Sequence, residues 1–233
     1  MTIPASEDES ASPLVLLVPG LGGSGPDHWQ TLWERQRADC RLVDLGLWDR
    51  PHRNTWVNKL NHAILDAGRD AGRPVVLVAH SLGCLAVSWW AALERPASDT
   101  VVGALLVAPP EVDFYPLDDR LTAFAPAPES ALPFRSILVA SHDDPYMSFR
   151  RARRLAGIWG SGFADAGRVG HINADSQLGD WPFGQFLLRR LIAGQAAQAA
   201  PGFIEAGEAS GLAHVRDASS ADGAASGRPS RTL

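Results

Sequence analysis

Cysteine is nearly absent from this chain, with only Cys40 and Cys84 in 233 residues. Two thiols cannot build a disulfide framework, which argues against a stapled secreted scaffold and for a reduced, cytoplasmic setting. No apolar run approaches the roughly 18 residues needed to span a bilayer, so no membrane association is expected. The first twelve residues are acidic and polar, without the basic and apolar regions of a secretory signal. A basic excess is also missing. The net charge of −5 carries no polyanion-binding signature, so nucleic acid is not an expected partner. Tyrosine and methionine number two each against eight tryptophans, yet hydrophobic residues still make up 45%, ample for one large core.

What the chain does have is a regular alternation of short apolar runs with helical patterns. Leu14–Val18, Val75–Ala79, Val101–Ala108 and Phe134–Ala140 read as strands buried on both faces, as in a parallel sheet covered by helices. Weaker strands fall at Arg41–Leu45 and Phe163–Ala166. Helices are expected from Pro26-Asp27 to about Arg37, from about Asn54 to Ala71, from Leu82 onward, from Ser148 to Ile158 and from Trp181 to Ile192. Joined by right-handed crossovers, these give a three-layer α/β fold with a mostly parallel six-stranded sheet and helices on both faces. Residues 1–12 read as a disordered leader and 13–193 as the domain. Residues 194–233, rich in Ala, Gly, Ser and Gln, read as a disordered low-complexity tail. The proline-rich segment 109–133 is the size of a minimal lid and too short for a cap domain.

The strongest chemical signal is Val75-Val76-Leu77-Val78-Ala79-His80-Ser81-Leu82-Gly83. An apolar strand runs into a serine between small residues, and a helical pattern follows at once. That arrangement is a nucleophile elbow, which exposes the hydroxyl and aims a helix N-terminus at developing negative charge. Ala79 stands where the pattern usually has glycine. The plain alternative is a serine capping a helix after a buried strand.

A serine nucleophile needs a base, and the base needs an orienting acid. Of seven histidines, His171 follows Gly170 in a loop after the last strand, where an α/β-hydrolase places its base. His62 sits mid-helix, His80 points away from the hydroxyl beside it, and His214 falls in the tail. Ser141-His142-Asp143-Asp144-Pro145 follows the fifth strand and offers two acids. Asp144 is favoured because Pro145 would fix the turn that aims it, with Asp143 left open. The order Ser81, Asp144, His171 is that of α/β-hydrolases. Oxyanion donors are expected at the Leu82 and Leu21 N–H groups, the latter in the glycine-rich loop Gly20–Gly25. That loop lacks the ending and the spacing of phosphate-binding loops, so no nucleotide, cofactor or metal is expected. His28, Trp29, Trp48 and Trp181 are candidate substrate-pocket residues, although tryptophans in such places more often pack in a core. The run Arg150-Arg151-Ala152-Arg153-Arg154 reads as a solvated helix face.

Several of these segments act jointly as a signature. They are Pro19-Gly20-Leu21-Gly22-Gly23-Ser24 with His28-Trp29-Gln30, Trp48 to Pro51 with Trp56, and Ala79-His80-Ser81-Leu82-Gly83. Ser141 to Pro145 and Gly170-His171-Ile172-Asn173 with Leu178-Gly179-Asp180-Trp181-Pro182 complete it. Over about Leu14 to Leu191 the chain resembles the retinoblastoma-binding-protein-9-type serine hydrolases, small α/β-hydrolases with a minimal cap or none. The resemblance implies a triad of Ser81, Asp144 and His171 and hydrolysis of small esters or amides. Gln177 departs from it, standing where similar sequences often carry glycine. The expectation is therefore a cofactor-independent, carboxylesterase-like enzyme acting on a small-molecule ester. Amidase, aminopeptidase and thioesterase chemistry share the same acyl-serine route. A hydrolase fold serving mainly in protein–protein interaction is the reading of a different class. The sequence fixes no oligomeric state.

Overall fold

Period-two alternation within the apolar runs decides the layers. In the first strand, β1 (Leu14–Val18), Val15 and Leu17 pack into one buried cluster and Leu14, Leu16 and Val18 into another. The strand carrying the elbow, Val75–His80, repeats this, with Val76 and Val78 on one side and Val75, Leu77 and Ala79 on the other. Both faces are apolar, so both must be covered.

The computed structural model describes residues 12–71, 73–94 and 100–199. After β1 come α1 (Trp29–Gln36), β2 (Cys40–Leu42), α2 (Arg53–Ala71), β3 (Val75–His80), α3 (Leu82–Glu94) and β4 (Val101–Val107). Then follow β5 (Arg135–Ala140), α4 (Phe149–Trp159), β6 (Gly162–Asp165) and α5 (Pro182–Ala199). The strands form one six-stranded parallel sheet in the order β2-β1-β3-β4-β5-β6. Helices α1 and α5 cover one face through Trp29, Trp33, Leu187, Leu188 and Leu191. Helices α2, α3 and α4 cover the other through Trp56, Leu60, Leu85, Trp90 and Trp159. Each fully buried Leu or Val contributes about 1.5–3 kcal/mol of transfer free energy, which accounts for the strength of this three-layer core. No described helix is long and apolar enough to cross a membrane.

Three boundaries differ from the sequence reading by more than one residue. Helix α1 begins at Trp29 rather than Pro26, because the His28 side chain caps it by accepting the Gln30 N–H. Strand β2 is shorter: Val43 donates to the Leu17 carbonyl, and the chain then turns at Gly46 in the left-handed region. Helix α5 runs on to Ala199, past the expected domain end at residue 193. Its last residues, Gly-Gln-Ala-Ala-Gln-Ala, have little apolar periodicity, but Ala and Gln are strong helix formers. The tail beyond residue 199 and residues 1–11 of the expected leader lie outside the described residues.

From β1 the chain first adds β2 on one side and then returns to add β3 on the other. In an open parallel sheet, ligands bind outside the strand carboxyl ends at such a reversal point. Gly20 follows β1 there, and Ser81 follows β3.

Candidate active site

Ser81 has φ +53°, a left-handed conformation unusual for a residue with a side chain. The sheet and helix hold it there. Its N–H donates to the Val107 carbonyl at 2.9 Å, while its carbonyl accepts from Cys84 N–H at 2.9 Å. Two glycines make the elbow possible. A Cβ on Gly83 would lie 2.4 Å from the Val18 carbonyl oxygen and 2.6 Å from that of Pro19. A Cβ on Gly20 would lie 2.7 Å from Ser81 Cβ and 3.2 Å from its Oγ. Close approach is thus borne by Gly20 and Gly83, and the position of Ala79 tolerates a methyl within the core. Among the described residues no acceptor meets the Leu82 N–H or the Leu21 N–H, the two expected oxyanion donors.

The structure brings Ser81, His171 and Asp144 into one hydrogen-bonded line. His171 Nε2 lies 2.8 Å from Ser81 Oγ, and Nδ1 lies 2.9 and 3.0 Å from the two Asp144 carboxylate oxygens. Asp144 Oδ1 also accepts the Tyr146 N–H at 2.9 Å, closing a turn around Pro145 that aims the carboxylate. Asp143 faces elsewhere. Its Oδ1 accepts from Ser141 Oγ and from Gly170 N–H, contacts that hold its carboxyl below the usual range and fasten the loop bearing His171. The left-handed residues Gly170, Ile172 and Gln177 shape that loop. Gln177 at φ +51° adopts what glycine takes without strain.

The model of a family described as serine hydrolase matches residues 15–190. The chain belongs to this serine hydrolase family. A putative YdeN-like hydrolase from Pectobacterium atrosepticum is 30% identical, with 79% of this chain and 92% of that one covered and a TM-score of 0.68. The ydeN gene product of B. subtilis is 20% identical over 78% of this chain and 100% of its own, with a TM-score of 0.62. Est1E from Butyrivibrio proteoclasticus, solved with ferulic acid bound, shares the fold at 12% identity, covering 82% of this chain and 91% of its own, with a TM-score of 0.59. Comparison with curated proteins finds no match. The resemblance read from the motifs holds, and the chain is a hydrolase of α/β-hydrolase fold.

Around Ser81 this serine hydrolase has a cavity of about 290 Å³, lined among others by Leu21, His28, His80, His171 and Asn173. Asp118, Arg120 and Leu121 of the 109–133 segment also border it, so that segment contributes to the cavity wall. The tryptophans expected at the pocket do not line this cavity. Trp29 and Trp181 are core residues, and Trp29 Nε1–H donates to the Ile172 carbonyl at 2.8 Å, tying α1 to the His171 loop. Trp48 instead backs the glycine loop, where its carbonyl accepts the Gly22 N–H at 3.1 Å. A flat indole supplies more contact area buried in a core than at the rim of so small a site. The arginines of α4 are exposed, as read; Arg151 pairs with Glu111 and Arg153 lies over Phe163.

Sequence reasoning missed His80. Its Nε2–H donates to the His171 carbonyl at 3.0 Å, fixing the His171 backbone from the residue next to Ser81. Only alternation along β3 hinted that His80 would point to the α1 side. Burial, then the neighbouring His28 and His171, hold the His80 ring neutral well below its ordinary range. Burial and His171 likewise lower His28 from 6.5 to about 4.

Linkage gives the sign of the consequence. The unfolded chain protonates these histidines near pH 6.5 and the folded chain resists, so stability falls as pH drops from there to about 4. His28 alone accounts for roughly 3 kcal/mol of that loss, and His80 adds in the same direction. Denaturant midpoints measured across this window should show the decline, with a shallower slope in His28→Asn. Parallel curves for the two proteins would mean that His28 is not held neutral.

Proposed function

We propose that the protein hydrolyses small carboxylic esters through an acyl-serine intermediate. The observation that carries this reading is the unbroken line Asp144–His171–Ser81, with contacts of 2.8 to 3.0 Å, beside two N–H groups that have no acceptor among the described residues. His171 Nε2 takes the hydroxyl proton as Ser81 Oγ bonds to the ester carbonyl carbon. The carbonyl oxygen becomes an oxyanion between the Leu21 N–H of the glycine loop and the Leu82 N–H at the head of α3. Asp144 keeps the proton of His171 on Nδ1 and stabilises the imidazolium. Collapse breaks the ester C–O bond as His171 returns its proton to the departing alkoxide. Water then repeats the sequence, giving the acid and free Ser81.

Amides and thioesters pass through the same steps, but an alkoxide leaves with less assistance than an amide nitrogen. A cavity of about 290 Å³ lies at the lower end of ligand sites and suits a small acyl group. Treatment with a fluorophosphonate followed by mass spectrometry should place one adduct on Ser81. An unlabelled folded protein, or an adduct on another residue, would overturn the reading.

A further inference from the structure

One polar atom in this neighbourhood has no partner. His28 Nε2 is buried, and among the described residues no hydrogen-bond partner reaches it. The residue is 4% exposed. Its Nδ1 accepts the Gln30 N–H at 3.2 Å, so in the neutral ring the proton sits on Nε2. A buried donor left without an acceptor forgoes about 1–3 kcal/mol, and such groups are rare in folded proteins.

The surroundings keep the ring where it is. Turning it away would break the cap of α1. Gln30 clamps the start of that helix by donating to the Val18 and Val78 carbonyls, while Ser24 donates to Gln30 Oε1. The ring also packs edge-on against His80, with centroids 4.7 Å apart. His28 lines the same cavity as Ser81 and His171. His80 cannot play the same part, because its own Nε2–H is engaged with the His171 carbonyl.

We propose that His28 Nε2–H is a substrate-recognition donor that bonds an ether, hydroxyl or carbonyl oxygen carried beside the scissile ester. Preferred substrates are then oxygen-substituted small esters rather than plain alkyl ones. This rests on the acyl-serine reading above. The scissile carbonyl oxygen already has the Leu21 and Leu82 donors, which leaves His28 for a second acceptor. With its pKa lowered to about 4, the ring stays neutral and keeps one nitrogen for the cap and one N–H for the substrate. A site built around such a donor discriminates against analogues that leave it unpaired.

The test uses matched p-nitrophenyl esters, butyrate against methoxyacetate, and matched alcohol portions, butyl against 2-methoxyethyl acetate. Each ratio of kcat/KM is divided by the ratio for hydroxide hydrolysis, which removes intrinsic reactivity. The wild-type protein should favour the oxygen-bearing member of at least one pair by about ten-fold. His28→Asn and His28→Ser both keep a capping oxygen but are too short to place a donor at the Nε2 position, and each should lose most of that preference. Fluorophosphonate labelling of Ser81 in each variant reports an intact site. No preference in the wild-type protein would overturn the proposal. So would variants that slow both members of every pair equally. An unlabelled wild-type Ser81 would instead bring down the acyl-serine reading itself.

Discussion

His171→Ala is expected to lower kcat for ester hydrolysis by about 10⁶-fold, as much as Ser81→Ala. The imidazole is the sole group within hydrogen-bond reach of Ser81 Oγ among the described residues. Without it the hydroxyl has no proton acceptor, and the leaving group has no donor. The two residues act as a unit, so the double variant should be no slower than either single one. The loop should survive the change, because His80 holds the His171 backbone and Trp29 the adjoining Ile172 carbonyl. Steady-state kinetics with a melting curve will show it. A His171→Ala variant within ten-fold of wild type would mean that another group takes the proton.

The second large effect separates two adjacent acids. Asp144→Asn should cost about 10⁴-fold in kcat, because an amide cannot hold the imidazole in the required tautomer or offset its positive charge. Asp143→Asn retains an oxygen for Ser141 and Gly170, and its effect should stay within about ten-fold, read mainly as a lowered melting temperature. Equal losses in the two variants would remove Asp144 from its assigned role.

The order of elements was legible because each strand buries both faces and therefore reads as an uninterrupted apolar run. Ser81 and His171 were legible because the elbow is a local pattern and chain order narrows the base. The choice between Asp143 and Asp144 stayed open, since neighbours in sequence diverge by side-chain direction, which the contacts of Pro145, Tyr146 and Gly170 decide. Tryptophan placement was legible only as a general preference for the core. An indole near a helix start can line a cavity or fill a core, and Trp29 joined the core through a carbonyl 143 positions away. His28 as a cap was equally hidden, because capping preferences point to Ser, Thr, Asp and Asn. The extension of α5 was missed because propensity rather than periodicity sustains it.

The bond from Trp29 to Ile172 also says something about when the enzyme is born. The elbow, its strand and the glycine loop all lie in the first half of the chain, so a nascent polypeptide carries Ser81 long before His171. The dock for the His171 loop is built from α1 and completed by a residue 143 positions later. Joining such distant segments is a late, entropically demanding closure. On the proposed mechanism, an unfinished or partly folded chain is chemically silent. Turnover is therefore a direct readout of completed folding, and the cell is not exposed to an unpartnered nucleophile during synthesis.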